Sequence, residues 1–339
     1  MVCFKYAVLV RFLERNYFIM SFWQEDIKIG NVSVPRFIGG PLDGITDSPF
    51  RQLVRQFSKR ELLYTEMRHV RSILTPMGGK LALDFEQMER PLSFQVSASS
   101  DDCIQAACEK IVAAGVDILD LNVGCPAKNV VSSCCGSALM AHPDQLEKIL
   151  KAFRSSLNIP FTVKIRAGFK VKNAIDIAKL IQDCGADAIA IHPRLQTQKF
   201  TGLPDYQLAA DVKKALQIPV IFSGNVVNFK TAQMTYDRTG VDGFLIGRGI
   251  WGKPWKLHEM AENAAGREFH VSSEMLLQVA LKHLQLMIDH YGTKGLYCFR
   301  KHLPFYIKGH PEASAMRSRL VVSTSQAEIE QGLIEFLRS

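Results

Sequence analysis

The stretch DILDLNVGCPAKN, residues 117–129, runs apolar up to a glycine and then places a cysteine and a proline at once. Its first seven residues have the length and character of a strand buried on both faces, the kind found in parallel sheets. Cys125 stands where that strand stops. A small core cysteine needs no such setting, whereas a reactive thiol suits one.

Working outward, similar runs recur along the chain: RFIGG (36–40), LLYTEM (62–67), LSFQVSA (92–98), FTVKIRA (161–167), AIAIHPR (188–194), PVIFSGNV (219–226) and GFLIGRG (243–249). Between most of them the apolar spacing turns helical. DQLEKILKAFRSSL (144–157) has apolar residues at 146, 149, 150 and 153, one helix face. AIDIAKLIQDCGA (174–186) and NFKTAQMTYDRTG (228–240) run into Gly185 and Gly240, plausible helix stops. Eight strands alternating with helices predict an α/β fold, a parallel (β/α)8 TIM barrel. A doubly wound open sheet is the runner-up. It calls for a G-x-G-x-x-G turn after an early strand, and none is present.

After Trp255 the strand signal disappears. SEMLLQVALKHLQLMIDH (273–290) and QAEIEQGLIEFLRS (326–339) are amphipathic helix patterns. The expected division is an N-terminal extension over residues 1–22, a barrel over 23–258 and a small all-helical C-terminal domain over 259–339. The first residues are too charged and too short to span a membrane, with Lys5, Arg11, Glu14 and Arg15 in the run. They read as an upstream start or a loose extension, with an interfacial helix as the alternative. SFWQEDIKIGNVSV (21–34) reads as an opening hairpin.

Apolar residues make up 47% and charged residues 22%, ordinary for a globular chain. The net charge of +8 suits a polyanionic partner without requiring one. The eight cysteines include no C-x-x-C pair, which argues against a zinc knuckle or a thioredoxin-type motif. No metal site is expected. Nothing marks secretion, so a reducing cytoplasmic setting is the default.

In such a barrel the chemistry sits at the C-terminal ends of the strands. The polar residues there are Glu66, Gln95, Asn122, Cys125, Lys164, Arg166, His192, Arg194, Ser223, Gly224, Asn225, Gly247 and Arg248. Taken singly, a lysine or histidine on a strand is more often structural. A set at nearly every strand end points to a site. The loops after the seventh and eighth strands, SGN (223–225) and IGRG (246–249), offer glycines for close approach and Arg248 for charge, as a phosphate site requires. Two tight turns would look the same, and a phosphate there fits FMN or a sugar phosphate alike.

These residues also carry a resemblance. GPLDGITDSPFR (40–51), YTEM (64–67), DLNVGCPAKNVV (120–131), GSALM (136–140), VKIRAG (163–168), IHPR (191–194), PVIFSGNV (219–226), DGFLIGRGIWGKPW (242–255) and FRKHLPFYIKGHPEASAMR (299–317) occur in the order found in the tRNA-dihydrouridine synthases. Over about residues 25–320 the chain resembles that family, most closely its bacterial B-type branch.

The resemblance implies a barrel holding FMN, NADPH (or NADH) as reductant, a helical domain that grips tRNA, a monomer, and reduction of a uridine C5=C6 bond to 5,6-dihydrouridine. By that match Cys125 donates a proton to C5, and an ordinary thiol, with a pKa of about 8.5, carries that proton at neutrality. Asn122 matches a position facing the substrate. Pro41, Leu42 and Asp43 match the segment along the flavin, and Gln95 a contact to the ring edge. Lys164 and His192 match flavin-binding positions, and Ser223, Gly224, Asn225, Gly247 and Arg248 the phosphate end. A uridine reaching a flavin inside a barrel must leave its stack. A basic rim then has a use, with Arg166, Arg194, Lys199, Arg300 and Lys301 as candidates, although each alone reads as a solvated charge.

The chain departs from the family pattern in places. GPLDGIT replaces A-P-M-A-G-V-T, so Asp43 brings a carboxylate toward the cofactor or turns away into a cap. Asn225 stands where an acid is usual, and Pro193 where glycine is common. Cys134 and Cys135 are extra. They read as small loop residues, and a bond between adjacent cysteines would be strained. Two other functions compete: a flavin barrel reducing a free pyrimidine, and a tRNA-binding homologue without chemistry. The helical tail argues against the first, and a colourless protein that takes up no FMN would sink both flavoenzyme readings.

Overall fold

The computed structural model describes residues 22–308 and 312–338. The expected extension, residues 1–22, lies outside the described residues apart from Phe22.

Eight strands close into a parallel barrel. They are β1 (Phe37–Gly39), β2 (Leu63–Tyr64), β3 (Leu92–Ser97), β4 (Ile118–Val123), β5 (Phe161–Gly168), β6 (Ala188–Leu195), β7 (Val220–Ser223) and β8 (Gly243–Ile246). Each pairs in parallel with the next, and β8 pairs with β1 to close the ring. A two-residue strand, Arg68–His69, adds to β3. All eight apolar runs in the sequence become these strands. β2 is shorter than its run: the Thr65 N–H still donates to the Ser93 carbonyl at 2.9 Å, but its hydroxyl accepts from the Gln95 N–H at 3.0 Å.

The alternation along β4 shows what the closure does. Leu119, Leu121 and Val123 point outward into the layer between strands and helices. Ile118, Asp120 and Asn122 point into the barrel. Two polar side chains therefore sit inside, one layer apart. The three expected barrel helices form as Pro143–Ser155, Ala174–Asp183 and Phe229–Thr239. Gly240 ends the last of them at φ +63°, a conformation natural to glycine.

An antiparallel hairpin, Ile27–Ile29 with Val32–Val34, precedes the barrel. Ile27, Ile29 and Val34 pack with Ile38, Ile118, Ile221 and Leu245 in the barrel interior. The hairpin thus plugs the N-terminal end, and the opposite end is left for a ligand.

The helix Lys256–Ala264 packs into the barrel's own core through Leu257 and Met260, beyond the boundary expected at residue 258. The C-terminal helices, chiefly Ser273–Tyr291 and Gln326–Arg338, build a second core around Leu277, Leu284, Met287, Leu320, Ile329 and Leu333. Leu53 and Trp255 from the barrel side join that core, so the helices dock on the barrel through apolar contact. No helix among the described residues is long and apolar enough to cross a membrane.

Candidate active site

A cavity of about 660 Å³ opens at the C-terminal ends of the strands. From β1 come Pro41, Leu42 and Asp43; from β4, Asn122 and Cys125; from β5, Lys164 and Arg166; from β6, His192 and Arg194. Ser223, Gly224 and Asn225 follow β7, and Gly247 and Arg248 follow β8. Fourteen of the nineteen candidate site residues named from the sequence thus line one space.

The NVGCP turn is held by two residues, Asn122 and Ser137. Asn122 Oδ1 accepts from the N–H of Gly124 at 3.0 Å and of Cys125 at 2.8 Å. The Cys125 carbonyl accepts from Ser137 N at 3.1 Å and Ser137 Oγ at 2.8 Å. Gly136 leaves room beside the cysteine: a Cβ there would lie 2.9 Å from the Cys125 oxygen, and its φ is +58°. Cys125 itself is half-buried and faces the cavity.

The cavity wall is cationic. Burial, and after it Arg166, pushes the Lys164 amine down to about 8, against the opposing pull of Asp120. Burial pushes Arg166 down to about 10. Burial, together with Lys164 and three arginines, drives His192 down to about 2, so its ring is neutral. Arg194 Nη1 lies 2.9 Å from His192 Nε2. A guanidinium only donates, so Nε2 accepts and Nδ1 carries the proton. The one carboxylate among the lining residues, Asp43, has its side chain 87% exposed and 3.9 Å from Arg68. It stands at the rim in water, no other lining residue is anionic, and the nearest inner counter-charge to Lys164 is Asp120 beneath the cavity.

The turn after β7 needs its glycine. Gly224 has φ +126°, and a Cβ there would lie 3.0 Å from His192 Cδ2 and 3.4 Å from Arg194 Nη1. Asn225, at φ +57°, accepts from Arg194 Nη2 at 3.1 Å through its side-chain oxygen.

Several expectations from sequence need correction. Gln95 does not line the cavity. It is 1% exposed beneath it and bonds Asp120 and Asn122. Arg166 and Arg194, read as rim charges for a substrate, are each 1% exposed. Arg166 donates to the carbonyls of Gly124, Leu195 and Lys199 at 2.7–3.2 Å. Arg194 donates to the carbonyls of Thr201 and Gly202. Both brace the loops that form the cavity mouth. Arg300 donates to the carbonyls of Val322 and Ser323 inside the helical unit and lies over the Tyr297 ring. Lys301 alone of that pair reaches the barrel, with Nζ 3.5 Å from the Gly44 carbonyl. Glu66 is also structural, taking the Gly44 N–H and the Arg68 guanidinium.

Phe200 was missed. It lines the cavity, is 52% exposed, and lies 5.0 Å from Arg248 and 5.5 Å from Arg166 in cation–π geometry. Its signal was an aromatic in a polar loop, QTQKFTG (196–202), just beyond the β6 set. Among the described residues, no group of three or more His, Cys, Asp or Glu is placed to hold a metal ion.

Residues 38–339 match the profile of the family described as Dihydrouridine synthase (Dus). The chain belongs to that family. It is 32% identical over 314 residues to a probable tRNA-dihydrouridine synthase 1 of a Synechocystis species, covering 91% of this chain and 88% of that one. It is 34% identical over 298 residues to tRNA-dihydrouridine synthase B of Vibrio vulnificus, covering 86% and 92%. Membership in the dihydrouridine synthase family makes the chain an oxidoreductase. Among solved structures, histamine dehydrogenase from a Rhizobium species superposes with a TM-score of 0.56 at 10% identity, over 79% of this chain and 51% of that one. The old yellow enzyme homologue of Zymomonas mobilis does so with 0.53 at 13%, over 68% and 90%. At such identity the likeness is one of fold, the TIM barrel.

Proposed function

We propose that this member of the dihydrouridine synthase family is an FMN- and NADPH-dependent enzyme that reduces the C5=C6 bond of a uridine in tRNA, working in the cytoplasm. FMN fits the residues present. The cavity wall is cationic, its one lining carboxylate, Asp43, stands out in water, and the Gly224 backbone packs against His192 and Arg194 where a Cβ would crowd them. Ser223, Gly224, Asn225, Gly247 and Arg248 would hold the phosphate, Pro41 and Leu42 would lie along the ring, and Lys164 would balance its charge. When bound and reduced by NADPH, the flavin supplies the hydride that adds to C6 of the base.

The remaining work falls to the chain. Lys164 and the neutral His192 present one ammonium and one N–H donor to the anionic guest. Cys125, on the turn after β4, holds the proton that C5 needs, and Asn122 fixes that turn. Arg166 and Arg194 tie down the loops around the mouth, so an unstacked uridine enters a preformed site. The single observation that carries this reading is one cavity shared by the Cys125 thiol and the Lys164 amine, on adjacent strands, inside a cationic wall.

The helical unit favours tRNA over a free pyrimidine. It docks on the barrel through Leu53 and Trp255 and brings Lys301 beside Gly44, next to the rim residue Asp43. The test is to map dihydrouridine in tRNA from cells with and without this gene. Loss of the modified base at one position on deletion is expected. Unchanged tRNA, with altered free dihydropyrimidine instead, would overturn the tRNA reading.

A further inference from the structure

A chain of buried hydrogen bonds runs from the middle of the barrel to the active-site turn. Gln95 on β3 and Thr162 on β5 are the register partners of Asp120 on β4. Thr162 donates to Asp120 Oδ1 at 2.6 Å, and the Tyr64 hydroxyl lies 3.4 Å from the same oxygen. Gln95 Nε2 donates to Asp120 Oδ2 at 2.8 Å. Asn122 Nδ2 donates to Gln95 Oε1 at 2.9 Å. Asn122 Oδ1 then accepts from the backbone N–H of Gly124 and Cys125. Asp120, Gln95 and Asn122 are 0%, 1% and 6% exposed, so bulk water cannot replace these partners.

The direction of each link is forced. A side-chain amide offers one acceptor oxygen and one donor nitrogen. The two backbone N–H groups can only donate, so Asn122 must turn its oxygen to them. Its NH2 then faces Gln95, which must present its oxygen. The Gln95 NH2 in turn requires an acceptor, and Asp120 supplies one. Burial pushes this carboxyl up to about 6, which leaves it ionised at neutral pH but at a cost that a neutral side chain would avoid. Among the described residues no cation is hydrogen-bonded to it, and Lys164 attracts it only through space. The cost makes sense if the carboxylate sets the polarity of the row.

We propose that Asp120 is a positioning residue for Cys125: its carboxylate fixes the orientation of the Gln95 and Asn122 amides and, through them, the backbone that carries the thiol. The role of the thiol rests on the function proposed above; its positioning does not.

Asp120→Asn removes the direction while keeping the shape. With its oxygen still toward Thr162, the new amide turns an NH2 toward Gln95. Gln95 must flip, Asn122 must follow, and an NH2 then meets the N–H groups of Gly124 and Cys125. The double variant Asp120→Asn/Gln95→Glu moves the carboxylate one place along the row. The new amide donates to one carboxylate oxygen, the other accepts from Asn122, and the original polarity returns.

The measurement is the rate of iodoacetamide alkylation of Cys125 across pH in the purified holoprotein, read by peptide mass spectrometry with exposed Cys134 as internal standard. The single variant should change the Cys125 rate on the order of fivefold, about the worth of one hydrogen bond, with Cys134 unchanged. The double variant should return to the wild-type profile. An unchanged single variant, or a double variant no nearer to wild type than the single, overturns the proposal. If the single variant does not fold, a double variant that folds with the wild-type rate supports the proposal, and one that fails to fold overturns it. A wild-type protein that reduces no tRNA would remove the proposed function and leave this test intact, because alkylation reads the thiol directly.

Discussion

Asn122 and Lys164 are register partners on adjacent parallel strands, and both face the same cavity. One strand therefore carries the turn that holds the thiol, and its neighbour carries the amine. Their spacing is set by the β4–β5 ladder rather than by flexible loops, so acid and cation keep a fixed relation.

Cys125→Ala should retain FMN and lose tRNA reduction by about a hundredfold or more, the range of a general acid. The thiol lies on the cavity wall away from the Gly224 turn, so cofactor content should not change. Flavin absorbance of the purified variant and single-turnover dihydrouridine formation check the two halves separately. Full turnover would remove the proton-donor role.

Lys164→Met should weaken FMN retention by roughly tenfold, the worth of a charge-assisted hydrogen bond. Lys164 is pushed down to about 8, so it is charged below that pH and neutral above it. FMN affinity of the wild type should fall as pH rises through about 8, and the variant should show a flatter profile. Equal slopes in both proteins would show that another group carries the dependence.

Gly224→Ala should abolish FMN binding with the fold intact. The new Cβ meets His192 Cδ2 at 3.0 Å from a backbone at φ +126°. Thermal melting and cofactor content after purification distinguish a blocked cradle from global unfolding. A variant that keeps its flavin would mean the turn moves aside.

Stability should fall with acid. His302 and His283 lie buried between the Phe50 ring of the barrel side and the helical core, and neither His302 nitrogen finds a hydrogen-bond partner among the described residues. Burial, then Lys301, pushes His302 down to about 3, and burial holds His283 well below the usual histidine range. His192 behaves likewise. The unfolded chain takes up these protons below about 6.5 while the folded one does not, so each histidine costs about 1.4 kcal/mol per pH unit below that point. Asp47 and Asp120 oppose this. Burial raises both to about 6, so from pH 6 downward the folded state gains their protons first. Three losses against two gains leave a net loss. His302→Phe should therefore lose about 1 kcal/mol less than wild type between pH 7.5 and 5.5 in urea unfolding. An equal loss would show that His302 is not among the groups taking up protons.

The barrel was legible because closure buries every strand on both faces and writes apolar runs of similar length into the chain. The ring of polar strand ends was legible for the same reason, since Lys164 and His192 recur with other polar residues at the ends of such runs. Side-chain direction was not. Arg166 looked like a rim charge, yet its acceptors are the carbonyls of Gly124, Leu195 and Lys199, from loops that meet only once the barrel closes. Gln95 looked like a cofactor contact because it matches a family position at the ring edge. It turns instead to Asp120, a partner set by register rather than by sequence spacing. Phe200 escaped because one aromatic in a polar loop has no periodicity to announce it.

The central claim is tested most directly by mixing the NADPH-reduced protein, anaerobically, with tRNA that lacks dihydrouridine. Wild-type protein should form dihydrouridine at one position in step with reoxidation of its flavin, and Cys125→Ala should hold reduced flavin with almost no product. Purified protein that binds no flavin, or a Cys125→Ala variant that forms dihydrouridine at the wild-type rate, would contradict the account.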